Sequence, residues 1–435
     1  MNQNKIFIFE YVSGGGFNNI ELPSSLFCEG FAMLRSLISD FKRIDYEIST
    51  LLDHRITSLT KYLNADFIDV VNPDDNFISK FKENMRQCKY CFIIAPEFSN
   101  ILYNLTKIAF MMNKVILSVK LEGIQLASSK FLTYNYFKTY SVLTPTTYSI
   151  PYKESHLDLN FILQKLNEIN KPIIIKPNDG VGAELIYYFE SRRQIENFFH
   201  SYEDKFDLSR KFILQEYISG DDLSISLLIY RDSNPLIISV NSQFINIKET
   251  NFDSQYFGGY TPVENFYSIK AQIQANLKKL DLTKFNSFLG IDFIKNKQNL
   301  DYFIEINPRL TTSYIGIRNV IKTNLVELML TPDKYDFDHY DLEPHYFSKF
   351  CRLELERPDD KNYAKNTNNI ITNLMKNIPE LITPPISFSS SPDLKNQKFS
   401  CFIATKTKDQ ESSNSRIKQI FAYLKNQGFR VLNGE

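Results

Sequence analysis

Short runs of apolar residues alternate with helical patterns through the first part of the chain. Ile6–Phe9 is typical of a buried strand, and apolar residues then recur at helical spacing from Leu26 to Phe41. Two further strands are expected at Cys91–Ile94 and Val115–Val119, separated by polar segments of helix length. This rhythm of strand and helix is typical of an open parallel sheet. The pattern therefore predicts an N-terminal parallel α/β domain over residues 1–125.

A smaller unit with a different pattern follows the first. Three strands are expected here, at Pro172–Lys176, Leu185–Phe189 and Phe212–Glu216, together with one helix near Ser191–His200. A few strands with a single helix are typical of a small α+β fold. We therefore place a second unit at residues 126–221.

Longer strands with alternating apolar residues come next. We expect them at Leu223–Tyr230, Pro235–Ile247, Phe288–Ile294 and Tyr302–Ile306. Such alternation is typical of antiparallel strands with one buried face. Residues 222–335 are therefore predicted to form a larger antiparallel-sheet unit.

The end of the chain, residues 336–435, shows weak periodicity. Its composition turns to Asp, Asn, Lys, Ser and Pro, and it includes the pair Pro384–Pro385. A helix is expected at Ser415–Gln427. We predict a C-terminal extension of unknown role, with no chemistry that the sequence indicates.

Charge and composition exclude several classes of protein. The 435 residues contain 50 Lys and Arg against 50 Asp and Glu, which argues against a nucleic-acid or membrane-surface binder held by charge. No run approaches the roughly 18 consecutive apolar residues of a membrane span, and the first residues lack the apolar core of a secretory signal. We therefore expect a cytoplasmic protein with neither nucleic-acid nor membrane partners, and leave a homodimer open.

Two compositional features have plain explanations. Five cysteines at irregular spacing argue against a disulfide framework, and the pair Cys88 and Cys91 lacks the further ligands of a metal site. The aromatic content of 14% leaves a carbohydrate- or protein-binding module as an alternative class. Filling of the core explains that content better.

The segment from Ile175 to Glu184 is the first candidate for chemistry. Lys176 ends a buried strand and precedes a loop that contains Gly180 and Gly182. Such a lysine can bring its ammonium group and several backbone N–H groups around a polyphosphate, because glycine permits close approach of the backbone. The segment is neither a Walker loop nor a dinucleotide fingerprint. A tight hairpin turn with an exposed lysine is the alternative.

The segment Gln215–Gly220 is the second candidate. A strand that runs out into a short hinge exposes main-chain N–H and C=O groups, which can hydrogen-bond the edge of an adenine. Gln215 would then reach the adenine amino group, and Asp222 would lie near the sugar. Taken alone, the segment is also compatible with an ordinary strand end.

The third candidate is the most specific. Alternate residues of a strand share a face, so Glu305 and Asn307 project together. The spacer Lys295–Leu300 has the length of a hairpin loop, which would pair the strands and bring Asp292 alongside. Two carboxylates and an amide oxygen suit Mg²⁺ that bridges phosphates. The alternative is a set of polar positions on a solvated sheet face, where carboxylates would repel each other without a cation.

The order of these residues, with Lys130 before them, resembles the ATP-grasp superfamily over roughly residues 5–330. The resemblance implies an ATP-grasp fold, in which two antiparallel-sheet units clamp ATP behind a pre-ATP-grasp domain. Residues 126–221 would be the lid subdomain, and residues 222–335 the subdomain with the magnesium site. Lys130 and Lys176 would contact the ATP phosphates.

The same resemblance implies roles for the remaining candidates. Gly180 and Gly182 would belong to a mobile loop over the phosphates. The adenine would be held by Gln215, Glu216 and the Ile218 main chain, and the ribose by Asp222. Magnesium, or manganese in its place, would be held by Asp292, Glu305 and Asn307. Arg309 would bind an acyl phosphate and act in catalysis together with Lys176.

Two segments, Glu10–Gly16 and Asn307–Tyr314, are similar to a narrower group. This group contains the tyramine–glutamate ligases of methanofuran biosynthesis and their relatives in methylotrophs. Two features depart from it: Ser129 stands where many relatives carry an acid before the lysine, and residues from about 336 onward match nothing in the group. Gly258–Pro262 is expected to be either a loop that closes over the substrates or a simple turn.

The resemblance implies a carboxylate–amine ligase. The γ-phosphoryl group of ATP would pass to a substrate carboxylate, and an amine would attack the acyl phosphate to form an amide. The partners would be a small-molecule carboxylate and an amine. The alternatives are another amino-acid or peptide ligase of the same superfamily and a nucleotide-binding pseudoenzyme, which would lack the metal ligands.

Overall fold

The structure is a computed structural model. It describes residues 4–22, 24–154, 156–180, 182, 185–202, 206–207, 209–230, 235–247, 255–330, 340–357, 363–388 and 397–433. Across these residues, no helix is both long enough and apolar enough to pass through a bilayer. The predicted boundary between residues 335 and 336 lies outside the described residues.

The N-terminal residues form a five-stranded parallel sheet. Its strands are β1 (Lys5–Glu10), β2 (Glu47–Asp53), β3 (Phe67–Val71), β4 (Tyr90–Ile94) and β5 (Val115–Ile116). Their order is β3-β2-β1-β4-β5, and every neighbouring pair is parallel, as predicted. Strand β5 is shorter than predicted, because the chain leaves the sheet and the Lys120 amide donates to the Phe285 carbonyl.

Helices connect these strands and lead to the next unit. They are α1 (Ser24–Lys42), α2 (Phe77–Arg86), α3 (Ile101–Met111), α4 (Leu121–Ala127) and α5 (Lys130–Thr139), with 3₁₀ turns at His54–Tyr62 and Phe98–Asn100. The α1 helix is buried along most of its length, because the sheet and the C-terminal strands described below both pack against it.

The second unit is an antiparallel sheet, which we call the lid sheet. Its chain order is β6 (Thr147–Ser149), β7 (Tyr152–Lys153), β8 (His156–Leu157), α6 (Leu159–Ile169), β9 (Ile173–Pro177), β10 (Tyr187–Phe189), α7 (Arg192–Tyr202) and β11 (Phe212–Glu216). Strands β10, β9, β11 and β6 lie side by side in that order, and β7 pairs with β8. This unit has its own apolar core.

The third unit is larger. Its elements are β12 (Gly220–Leu228), β13 (Leu236–Ser242), β14 (Ile245–Asn246), β15 (Gln255–Tyr256), β16 (Gly258–Thr261), α8 (Phe266–Leu277), β17 (Phe288–Asn296), β18 (Asp301–Asn307), α9 (Ser313–Val320) and α10 (Leu325–Leu330). Strands β13, β12, β17 and β18 form an antiparallel sheet, the floor sheet. The antiparallel prediction is confirmed, although the strand expected at Pro235–Ile247 is divided into β13 and β14.

The C-terminal residues contain more structure than their composition predicts. Their elements are β19 (Ser348–Arg357), α11 (Tyr363–Asn377), β20 (Leu381–Ile386), β21 (Gln397–Ala404), α12 (Gln410–Asn426) and β22 (Arg430–Val431). They form the C-terminal sheet in the order β16-β19-β21-β20, with β22 on β19. Pro384 and Pro385 lie within β20, which is an edge strand with an irregular register, where proline costs no ladder hydrogen bond.

Strand β16 corrects one expectation. Gly258–Thr261 is neither a substrate loop nor a turn, because it pairs with β19 along its length. The two glycines explain why this pairing is possible. A Cβ atom on Gly259 would lie 1.9 Å from the Ser242 carbonyl oxygen, and one on Gly258 would lie 2.1 Å from that of Phe350. These residues therefore join the C-terminal sheet to the third unit.

Candidate active site

One cleft lies between the lid sheet and the floor sheet, with about 1360 Å³ of space including the part open to solvent. Every site residue predicted from the sequence lines it. They are Lys130, Lys176, Gly180, Gly182, Gln215, Glu216, Ile218, Asp222, Asp292, Glu305, Asn307 and Arg309. The structure thus brings together residues that are up to 179 positions apart in the chain.

Strand β9 positions Lys176. Successive residues of a strand face opposite sides, so Ile173 and Ile175 enter the lid core while Ile174 and Lys176 line the cleft. Lys176 is 4% exposed. Burial lowers the pKa of its ammonium group to about 8, against the opposing effect of nearby Glu305. An anion that enters the cleft would therefore stabilise the charged form of Lys176.

Lys130 connects the loop after β9 to the floor sheet. Its Nζ lies 2.6 Å from Glu305 Oε2 and donates to the Gly180 carbonyl at 2.7 Å. Its backbone amide donates to the Asn178 carbonyl at 2.9 Å. The Ser129 side chain caps α5 by accepting a hydrogen bond from the Leu132 amide. This bond fixes the start of the helix, where Lys130 is the first residue.

The loop that contains Gly180 and Gly182 has a left-handed backbone conformation at one position. Gly182 has φ +63°, in the left-handed region, and a Cβ there would meet no atom within 4 Å. Gly180 has ordinary space around it. A side chain at position 182 would therefore be disfavoured by its backbone conformation and not by crowding.

The hinge after β11 is tied to the strands beside it. The buried Gln215 donates from Nε2 to Thr147 Oγ1 at 2.9 Å, and the Glu216 amide donates to the Thr146 carbonyl at 2.8 Å. The Glu216 carboxylate pairs with Lys171. Because its nitrogen is engaged, the Gln215 amide offers its carbonyl oxygen to a donor such as an adenine amino group.

Asp222 lies near the start of β12, at the edge of the cleft. Burial, with a smaller contribution from Asp221, raises the pKa of its carboxyl group to about 6. The Asp222 backbone carbonyl accepts a hydrogen bond from the Gln243 backbone amide at 2.9 Å, which fixes the end of the strand. A carboxylate that is poorly solvated in this way favours hydroxyl donors, such as those of a sugar.

The floor of the cleft contains the carboxylate pair. Asp292 on β17 lies directly opposite Glu305 on β18, and Asn307 lies opposite Gly290. Asp292 accepts from Asn307 Nδ2 and from Gln243 Nε2, both at 3.0 Å. The predicted hairpin and shared face are thus present in the structure.

The two carboxylates have opposite pKa shifts. Burial, followed by the charge of Glu305, raises the pKa of Asp292 to about 7. Lys130 and Lys176 outweigh burial at Glu305 and lower its pKa. Two buried carboxylates that face each other repel when both are ionised, and a divalent cation would relieve that repulsion. The oxygen donors of Asp292, Glu305 and Asn307 fit Mg²⁺.

Arg309 follows the floor strand at a turn. Its amide donates to the Asn307 carbonyl at 2.8 Å, and its Nε lies 2.9 Å from Glu97 Oε1. Glu97 is buried and comes just after β4. The N-terminal domain thereby holds the guanidinium group at the cleft.

The structure adds cleft residues that the sequence analysis missed. Glu29 on α1, Gln243 after β13 and Tyr256 on β15 all line the cleft. Glu29 pairs with Arg352, whose Nη1 lies 2.7 Å from Glu29 Oε1. No local pattern marks this pair, since its members are 323 positions apart.

Comparison with known proteins identifies the domains. A model of the pre-ATP-grasp domain matches residues 46–124, and one of the ATP-grasp domain matches residues 127–313. Together they cover more than half of the 435 residues. The chain is 26% identical to the tyramine–L-glutamate ligase of Methanocaldococcus jannaschii over 327 residues, which are 75% of this chain and 88% of that protein.

Solved structures share the fold. The L-amino acid ligase from Bacillus licheniformis matches with a TM-score of 0.62 and 12% identity, over 99% of both chains. The ADP complex of the N5-carboxyaminoimidazole synthetase from Staphylococcus aureus matches with a TM-score of 0.60 and 13% identity, over 96% of both chains. The predicted ATP-grasp fold is confirmed. The chain belongs to the ATP-grasp family of carboxylate–amine ligases, enzymes that form carbon–nitrogen bonds with release of ADP.

Proposed function

We propose that this enzyme joins an amino-acid carboxylate to an amine, in the manner of a tyramine–glutamate ligase. The observation that carries the proposal is the contact between Lys130 and Glu305. The ammonium group that we propose to bind phosphate lies 2.6 Å from a carboxylate that we propose to bind the metal, and phosphoryl transfer uses this combination of charges. The 26% identity to a tyramine–L-glutamate ligase supports a γ-glutamyl amide as the product.

The nucleotide base would lie at the hinge. Its amino group would donate to Gln215, and the main chain from Glu216 to Ile218 would hydrogen-bond its edge. Ile174 from the lid sheet and Ile294 from the floor sheet line the cleft and would hold the two faces of the base. Asp222 would accept from the ribose hydroxyls.

The phosphates would extend from there toward the floor. Lys130 and Lys176 would bind their oxygens, and the loop with Gly180 and Gly182 would cover them with backbone N–H groups. Asp292, Glu305 and Asn307 would hold Mg²⁺, or Mn²⁺ in its place. The metal would supply electrostatic stabilisation to the phosphate oxygens.

Two chemical steps follow from this arrangement. A substrate carboxylate oxygen attacks the γ-phosphorus, which gives an acyl phosphate and ADP. The neutral amine then attacks the acyl carbon, phosphate leaves, and the amine loses a proton to complete the amide. Arg309, held by Glu97, would stabilise the charge on the acyl phosphate, and Lys176 would neutralise charge on the transferring group.

An assay of ADP formation and amide mass tests the proposal. The chain is incubated with ATP, Mg²⁺, L-glutamate and tyramine, and compared with Asp292→Ala and Glu305→Ala. We expect both variants to lose activity roughly a thousand-fold, because each removes a metal ligand. Asp281→Ala is the control, since Asp281 caps a turn and does not line the cleft.

Three outcomes would overturn parts of the proposal. Unchanged ADP formation by Asp292→Ala or Glu305→Ala would contradict the site assignment. Amide formation with other amino acids or amines, but not with glutamate and tyramine, would assign the chain to another ligase of the family. Binding of MgATP without any turnover would indicate a pseudoenzyme.

A further inference from the structure

The C-terminal residues hold the helix that carries Glu29. Arg35 Nη1 donates to the carbonyls of Leu381 and Ile382 at 3.1 and 2.7 Å, and Thr383 Oγ1 donates to the Cys28 carbonyl at 2.8 Å. These contacts lie on both sides of Glu29 in α1. The position of Glu29 therefore depends on strand β20.

Strand β19 supplies the partners of Glu29. Arg352, which is 7% exposed, lies between two acids: its Nη1 is 2.7 Å from Glu29 Oε1 and its Nε is 2.8 Å from Glu354 Oε1. The guanidinium group also lies over the Phe257 ring, 5.3 Å from its centroid. We call Glu29, Arg352 and Glu354 the wall triad.

The charge of the wall triad is unbalanced. Two carboxylates share one guanidinium group, so the triad carries one excess negative charge when both acids are ionised. The exposed part of the Glu29 side chain, 13% of its surface, belongs to the wall of the cleft.

The wall triad lies near the reacting end of the cleft. Burial raises the pKa of Glu29, and the charge of Arg352, followed by the smaller effect of Arg309, opposes this rise. Tyr256 lies between the wall and the floor: its hydroxyl bonds Thr312 Oγ1 at 2.8 Å, and Glu29 and Asp292 both help to raise its pKa. Glu29 and Tyr256 line the same cleft as Arg309, the residue proposed to bind the acyl phosphate.

We propose that Glu29 binds the ammonium group of an amino substrate, and that Arg352 of the C-terminal sheet positions it. The inference rests on the proposed ligase function. Alkyl amines are largely protonated near neutral pH, and a cationic group that enters a cleft lined by lysines needs a carboxylate partner. The ammonium group belongs either to the acceptor amine or to the amino-acid donor. In either case, the C-terminal unit completes the substrate site.

Kinetics of two variants test the inference. Glu29→Gln keeps the shape of the side chain and removes its charge. Arg352→Lys keeps the positive charge and removes the planar guanidinium group. We expect Glu29→Gln to raise the KM of one amino substrate about 10- to 100-fold, with the KM of ATP within about twofold of wild type. Arg352→Lys should raise the same KM by a smaller factor and change kcat little.

The Glu380–Arg416 pair supplies matched controls. Arg416 contacts both carboxylate oxygens of Glu380, at 2.7 and 2.9 Å, within the C-terminal residues, and neither residue lines the cleft. Glu380→Gln and Arg416→Lys should lower thermal stability and leave every KM unchanged. Separate titrations of tyramine and L-glutamate show which substrate carries the recognised ammonium group.

The outcomes separate this inference from the ligase function. If Glu29→Gln loses thermal stability but keeps both KM values, the wall triad is structural and the inference fails. If wild type forms no amide, the proposed function fails, and binding of tyramine and L-glutamate in the presence of MgATP is measured by calorimetry. Loss of binding in Glu29→Gln then supports the subsite. Equal binding by both proteins, or none by wild type, overturns it.

Discussion

The floor and the wall of the cleft balance their charges in different ways. On the floor, Lys130 contacts Glu305, while Asp292 accepts hydrogen bonds from the side-chain amides of Gln243 and Asn307. On the wall, Arg352 contacts both acids of the triad and is held over an aromatic ring. Among the residues that the structure describes, no lysine or arginine forms a salt bridge with Asp292, whereas both acids of the wall pair with Arg352.

This difference indicates how each region responds to ligands. A lysine ammonium is a flexible point charge, while a guanidinium group with two partners is fixed in a plane. In the proposed function, phosphates would draw Lys130 away from Glu305, and a metal would compete with protons for Asp292. We therefore expect the floor to depend strongly on pH and metal. The wall should keep its geometry across the same conditions.

The charge of Arg309 acts on acids of both regions, and its replacement should give a large effect. Its replacement in Arg309→Gln removes the cation proposed to stabilise the acyl phosphate, and we expect kcat to fall about 10²- to 10³-fold. The KM of ATP should change little, because the hinge and the lysines remain. Steady-state kinetics with ATP as the varied substrate measure both values.

The same variant leaves Glu97 buried without its cation, so stability needs a separate measurement. Thermal unfolding should show a folded protein with a lower Tm, and Arg416→Gln provides the comparison for loss of an ion pair remote from the cleft. A normal kcat in folded Arg309→Gln would remove Arg309 from the proposed chemistry.

The floor was predictable because its chemistry follows local rules. Alternation along β18 places Glu305 and Asn307 on one face, and the short loop after β17 sets the register that brings Asp292 opposite Glu305. Each of these features is visible within 16 residues of sequence. The order of the lysines and the hinge then indicates the fold that surrounds them.

The wall was not predictable for the opposite reason. Glu29 and Arg352 meet only because β19 pairs with β16 and α1 packs against the C-terminal sheet. In the sequence, Arg352 and Glu354 have the spacing of charges on a solvated strand face, and Pro384–Pro385 argues against a strand. Tertiary packing overrides both local signals.

Lys176 provides the next test of the floor. Its pKa is lowered to about 8 in the folded protein, chiefly by burial, and lies near 10.5 in the unfolded chain. Between these values the folded state binds fewer protons than the unfolded state, so the stability of the ligand-free protein rises with pH. Below pH 8 the buried charge costs on the order of 3 kcal/mol.

The variant Lys176→Met should therefore be more stable than wild type at pH 7 while losing ligase activity. The gain should shrink between about pH 8 and pH 10.5, as measured by urea unfolding at several pH values. Lys107→Met on the exposed surface of α3 is the control and should show no such trend. A pH-independent gain would mean that packing and not charge explains it.

Metal binding at the floor should weaken as the pH falls. The pKa of Asp292 is raised to about 7 by burial and by Glu305, so below that pH a proton competes with the metal. We expect the affinity for Mn²⁺ to fall by up to about tenfold per pH unit between pH 7 and pH 5. Calorimetric titration with wild type and Asp292→Asn measures it.

Two controls sharpen this test of the difference between floor and wall. Asp281→Asn should bind Mn²⁺ as wild type does, and Glu29→Gln should show the same pH dependence as wild type, because the wall does not contribute ligands. Equal Mn²⁺ affinity at pH 6 and pH 8 would contradict the assignment of Asp292.

The smallest effect is expected at Ser129, which fixes the start of α5 and so the base of Lys130. Ser129→Ala removes a helix cap and should cost about 1 kcal/mol of stability. The KM of ATP should rise less than about threefold, because the Lys130 amide still donates to the Asn178 carbonyl. Ser129→Asp restores a capping oxygen and should recover most of the stability, since acidic groups are favourable at a helix N-terminus. If Ser129→Ala instead abolished ATP binding at normal stability, the lysine would depend on the serine for its orientation, and the floor would be as rigid as the wall.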